Sequence, residues 1–108
     1  MKFVIKPRSF MGDYIALNWL EPEESKRFGI KPGEIFVRED WWKNPVKRLR
    51  IQVHERTEIW LRKTWHLPYA KAHHIATITE HDVIKQLGLH LDGGEIRHGR
   101  IVPYSNKV

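Results

Sequence analysis

The chain contains no cysteine. That excludes disulfides and any thiolate metal site, and it makes the reducing cytoplasm the expected compartment. No apolar run approaches the roughly 18 residues that a membrane span requires, so no membrane association is expected. The apolar part of Met1–Pro7 is too short for a signal peptide. Internal repeats and low-complexity tracts are also missing. With these classes set aside, 108 residues, 30% of them charged, read as a single globular domain with a modest core.

Acidic charge is scarce in one place only. The formal net charge is +6. Residues 1–40 carry seven basic and seven acidic side chains, and residues 75–108 carry four of each. Residues 41–74 carry eight basic and two acidic, so the whole excess sits there. A local basic surface favours an anionic partner such as nucleic acid. The plainer reading is a solvated helix face that keeps the protein soluble.

The pattern along the chain predicts an α+β fold with a small, mostly antiparallel sheet beside two main helices. Lys2–Ile5 and Tyr14–Leu20 alternate as strands do, with loop from Pro7 to Asp13. Glu21-Pro22-Glu23-Glu24 opens a short helix, since proline and acidic side chains suit a first turn. Gly29 closes it as the residue after the last helical turn. Glu34–Glu39 is a third strand, and Asp40–Asn44 a loop holding Trp41 and Trp42. Asn44 and Pro45 then begin a helix that runs to about Trp65. Val46, Leu49, Val53 and Trp60 recur at helical spacing, which predicts that they form its buried stripe. Pro68 separates it from a third helix, Tyr69 to about Leu87, closed by Gly88. Glu95–Arg97 and Arg100–Val102 can pair as a hairpin through His98-Gly99. Residues 103–108 are expected to be a loose tail.

The chemistry is concentrated in Val53-His54-Glu55-Arg56-Thr57-Glu58. His54 and Glu58, four apart, share one helix face, and Glu55 lies about 100° round the axis. This is the spacing of a metal-binding His-Glu-x-x-His helix with glutamate at the second ligand position. Imidazole plus carboxylate suits zinc, and also other divalent transition metals such as iron or manganese. Read structurally, the same pair is an intrahelical hydrogen bond. Glu55 is the candidate general base of a metal hydrolase, or else a surface residue between Arg48 and Arg62.

Two side chains hold a metal poorly, and catalytic zinc usually has three protein ligands. The following helix offers His73, His74, Glu80 and His81. His73 and Glu80 border its apolar face, so His73 is preferred, with Glu80 next and His81 in reserve.

Ile35-Phe36-Val37, a loop, then Leu49-Arg50-Ile51-Gln52-Val53-His54-Glu55-x-x-Glu58 resembles the zincin-like metallopeptidase superfamily. The likeness covers about residues 34–65, and Tyr69–Ala76 looks like a second ligand-bearing helix. The resemblance implies His54 and Glu58 as ligands, Glu55 as the base and a peptide or protein as substrate. It places the metal-site core within residues 34–87. Glutamate at position 58 departs from the usual histidine, and no further zinc-peptidase signature follows. A non-catalytic zincin-like interaction protein fits the same residues.

The competing expectation is a nucleic-acid-binding module. Lys47, Arg48, Arg56 and Lys63 would meet phosphates, and Trp41 or Trp42 would stack on bases. Lys43, Arg50, Arg62 and Lys71 add to the same basic stretch. A third expectation is a homo-oligomer held through an exposed Trp41-Trp42 pair.

Overall fold

The computed structural model describes residues 1–103; the expected loose tail lies, from Tyr104 onward, outside them. The chain forms two compact units. Among the described residues, one is 1–44 together with 93–103, and the other is 45–92. The class is α+β.

In the first unit, β1 (Lys2–Lys6), β2 (Ala16–Asn18) and β3 (Glu34–Arg38) form a sheet in the order β1-β3-β2. Two of the three strand pairings among the described residues are antiparallel; β1 and β3 run parallel, from Lys2 opposite Glu34 to Lys6 opposite Arg38. A parallel pair needs a crossover. Here the crossover carries α1 (Arg8–Met11), β2 and α2 (Pro22–Phe28). The central position of β3 explains why Ile35, Phe36, Val37 and even Arg38 are all buried. Met11, Leu17, Ile30 and Phe36 form a core, with Val4, Tyr14, Trp19 and Phe28 packed against it. Burying each large apolar side chain contributes roughly 1.5–3 kcal/mol.

The expected ends of α2 are present. Pro22 occupies the first turn and Gly29 follows in the left-handed conformation, its N–H donating to the Ser25 carbonyl. The segment 7–13, expected as loop, contains α1, and the tryptophan segment contains α3 (Glu39–Lys43). Both helices are too short to display a hydrophobic period, which is why pattern alone passes over them.

The hairpin of β4 (Glu95–Arg97) and β5 (Arg100–Val102) forms through His98 and Gly99. Both turn residues have positive φ, 48° and 75°, as the tight turn that matches strand twist requires. Gly99 has a second reason to be glycine. Its carbonyl accepts from Ile15 N–H at 2.6 Å, and a Cβ there would collide with the Ala16 carbonyl oxygen. Arg100 completes the attachment by lying over the Tyr14 ring, 4.4 Å from its centre.

The second unit is a helical hairpin of α4 (Pro45–Thr64) and α5 (Tyr69–Gln86). The start at Pro45 and the break at Pro68 follow the expected signals. The short connection between the helices makes them antiparallel neighbours, and the pairs Arg50–Glu80, Glu58–His73 and Arg62–Tyr69 run in opposite chain directions accordingly. Ala72 and Ala76 are fully buried, where small side chains let two helices approach. The buried stripe of α4 is not the expected one. Val46, Leu49 and Val53 are only partly buried and Trp60 is 54% exposed. The buried residues are Arg50, Ile51, His54, Glu55, Glu58, Ile59 and Leu61. Arg50, His54 and Glu58 are held inside because they find partners on α5, which removes most of the cost of burying them.

Candidate metal centre

Arg50, His54, Glu58 and Arg62 stand four residues apart, so α4 presents them as one column. Opposite them α5 presents Tyr69, His73 and Glu80. His54 is at the centre of this array, 2% exposed. Its Nδ1 lies 3.0 Å from Glu80 Oε1, and its Nε2 lies 3.3 Å from Glu58 Oε2. His73 Nδ1 is 3.4 Å from the same Glu58 oxygen. The His54 and His73 rings meet edge to face, with centres 4.9 Å apart.

Outer contacts fix these three side chains. Arg50 is fully buried and donates from Nε to Glu80 Oε2 at 2.5 Å and from Nη1 to the Asp92 carbonyl. Tyr69 stacks on His73, its hydroxyl 3.4 Å from Nδ1, and Arg62 lies over the Tyr69 ring. Arg62 also reaches to 3.8 Å from Glu58 Oε1.

Electrostatics mark the place as one that holds positive charge. Burial by itself lowers the His54 pKa. Hydrogen bonds to Glu58 and Glu80, with the charge of Glu55 close by, overcome this and raise it to about 10. Burial works to raise Glu58, and the hydrogen bonds from His54 and His73 reverse it, holding the group at about 2. Glu80 is lowered in the same way, against burial, by His54 and Arg50. These shifts favour a protonated His54 between two ionised carboxylates.

His54, Glu58 and His73 each offer a ligand atom, and these atoms lie within 4.8 Å of one another. Two imidazoles and a carboxylate are a donor set that suits zinc and its neighbours in the transition series. Metal-ligating histidines characteristically give their other ring N–H to a carboxylate, which fixes the tautomer. Glu80 is placed to do this for His54: it faces Nδ1 and leaves Nε2 toward Glu58. The donor set and its outer contacts fit a divalent ion.

The other expected residues fall elsewhere. Glu80 lies on the far side of the His54 ring from Glu58. His81 is outside the cluster. Glu55 is buried, near enough for its charge to act on His54. Of the two tryptophans expected to stack on bases, one is closed off from solvent. Trp41 is 3% exposed, and Trp42 is half-buried with its ring 5.3 Å from Phe3. Trp41 is therefore not part of an exposed pair. Arg50, counted among phosphate partners from sequence, is spent on Glu80. Lys47 and Arg48 are partly buried, while Arg56 and Lys63 are exposed.

Comparison with protein-family models, curated proteins and solved structures gives no match to this chain. The candidate site rests on its own geometry.

Proposed function

We propose that this chain is a metal-dependent hydrolase of peptidase-like chemistry, with a divalent transition metal, zinc foremost, held by His54, Glu58 and His73. The observation that carries the reading is the convergence of those three side chains while Glu80 fixes the far nitrogen of His54. The metal would act as a Lewis acid and make water a nucleophile near neutral pH. Glu80 and Arg50 hold the His54 ring so that Nε2 faces inward. Tyr69 holds the His73 ring by stacking on it. His54 and Glu58 are shielded from solvent, whereas the His73 side chain is 17% exposed. Water and substrate therefore approach past His73. Glu55, adjacent to His54 and buried, is the proposed base that accepts a proton from the attacking water.

Elemental analysis of the protein purified without added metal tests the binding step. About one equivalent is expected in the wild type, with substantial loss in His73→Ala and Glu58→Ala. Hydrolysis of a mixed peptide library, abolished by a chelator and restored by zinc, tests the chemistry. Stoichiometric metal without any hydrolysis would leave a metal-binding protein and end the hydrolase reading.

A further inference from the structure

The outward face of α4 has a second character, independent of the inward column. Arg56, Trp60 and Lys63 follow one another at steps of four and three, and so share a face. All three are exposed, Trp60 at 54%. Trp65 follows the helix and is 62% exposed. His66 next to it adopts a left-handed conformation, φ 52°, and Leu67 N–H returns to the Leu61 carbonyl. Trp65 N–H still bonds to the Leu61 carbonyl as in the helix, and its ring lies 6.1 Å from that of Trp60, at an interplanar angle of 73°. Toward the N-terminus the same face continues into a shallow depression of about 250 Å³ lined by Leu49, Gln52, Val53 and Arg56.

The sign of the charge on this face follows from which side chains α4 buries. The carboxylates of α4 are Glu55 and Glu58, and both are buried. Its outward charged side chains are therefore all cationic. A second copy of the chain would bring the same positive face and be repelled. A lipid surface asks for a broad continuous apolar face that can sink into the headgroup layer. Here two rings alternate with cations, and Leu49 and Val53 are half-buried. Exposed aromatic rings set among cations match an anion that carries its own flat rings.

We propose that the Arg56–Trp60–Lys63–Trp65 face of α4 binds single-stranded nucleic acid, with the tryptophans stacking on bases and the cations meeting phosphates. Recognition is by stacking and charge, and so is largely independent of base sequence. The binding does not depend on the metal centre.

The test uses a fluorescein-labelled 20-nucleotide oligothymidylate, followed by anisotropy at several salt concentrations, with protein treated with chelator and protein loaded with zinc. Micromolar binding at 50 mM salt is expected in both states, weakening steeply with added salt. Trp60→Ala, checked for an unchanged circular dichroism spectrum, should weaken binding about tenfold. Combined Arg56→Gln and Lys63→Gln should weaken it and lower the salt slope by about 1.4. The wild type should bind the matching duplex more weakly than the single strand, because paired bases cannot stack on the tryptophans. Absence of binding at 50 mM salt overturns the proposal. So does equal duplex binding that Trp60→Ala leaves unchanged, which would mean a plain polycation. Preference for phosphatidylserine vesicles over the oligonucleotide, or self-association abolished by Trp60→Ala, overturns it in favour of those occupants.

Discussion

His54 Nδ1 and Glu80 Oε1 lie 3.0 Å apart with both side chains withdrawn from solvent. The contact joins α4 to α5 across 26 residues of sequence. Arg50 anchors the other Glu80 oxygen, so a single carboxylate ties the charge column of α4 to the neighbouring helix. Glu80→Gln keeps the shape and removes the charge. It is expected to weaken zinc binding by about 10- to 100-fold, as loss of an outer carboxylate partner does. Competition against a chromophoric chelator measures this. Glu80→Ala should also cost about 3–5 kcal/mol of stability, because Arg50 remains buried without its counter-charge. Unchanged zinc affinity in Glu80→Gln would remove Glu80 from any role in orienting His54.

Much of this fold is legible in the sequence where single residues impose backbone geometry. Pro22 and Gly29 bound α2, Pro45 and Pro68 mark where α4 starts and where the following break falls, and His98-Gly99 forms the tight turn. The interior of α4 is harder to read. Ranking its residues by apolarity points to Val46, Leu49, Val53 and Trp60, which lie on the outer side. Arg50, His54, Glu58 and Arg62 carry the better signal: four ionisable residues at intervals of four, alternating in charge from the second onward. Apolar scales discard such a column, because a charged residue is expected inside only when its partner is known. The partners are on α5, and their pairing is a tertiary fact. His73 was reachable from sequence because it borders the apolar face of its helix; the Arg50–Glu80 clamp was not.

The same network sets a pH window for the metal-free protein. His54 is raised from 6.5 to about 10 in the folded state. Its contribution is complete below pH 6.5 and is lost as pH rises through about 10. Glu58 is lowered from 4.5 to about 2, so its contribution is complete above pH 4.5 and is lost as pH falls through about 2. Metal-free protein should therefore have its highest urea midpoint between about pH 4.5 and 6.5. Zinc affinity should instead rise with pH, because the ion must displace the His54 proton. A urea midpoint in metal-free protein that keeps rising from pH 7 to 10 would mean that His54 is neutral in the folded chain.

Gly99 and Gly33 separate backbone strain from steric collision. Both have positive φ, 75° and 86°. A Cβ on Gly33 meets nothing within 4 Å, whereas on Gly99 it strikes the Ala16 carbonyl oxygen. Gly33→Ala should cost only the strain of the left-handed conformation, about 1 kcal/mol. Gly99→Ala should cost more, in the range of about 2–4 kcal/mol, because the hairpin must also move away from β2. Urea titration of the two variants tests the order, and equal losses would show that the hairpin can shift freely.

Glu55 and His73 are proposed for different tasks, and substitution can pull those tasks apart. Glu55→Gln leaves His54, Glu58 and His73 in place while removing the group that would take the proton. Metal content should stay near one equivalent while the hydrolytic rate falls by about 100- to 10,000-fold, the usual contribution of a positioned base. Removing the Glu55 charge also removes one of the influences that raise the His54 pKa. The same carboxylate also attracts the divalent ion, so zinc affinity at pH 6 should be unchanged or slightly lower. His73→Ala should do the opposite, lowering metal content and activity together, with activity partly recovered at high zinc. If Glu55→Gln loses metal in step with activity, Glu55 belongs to the ion's own shell and some other group must accept the proton.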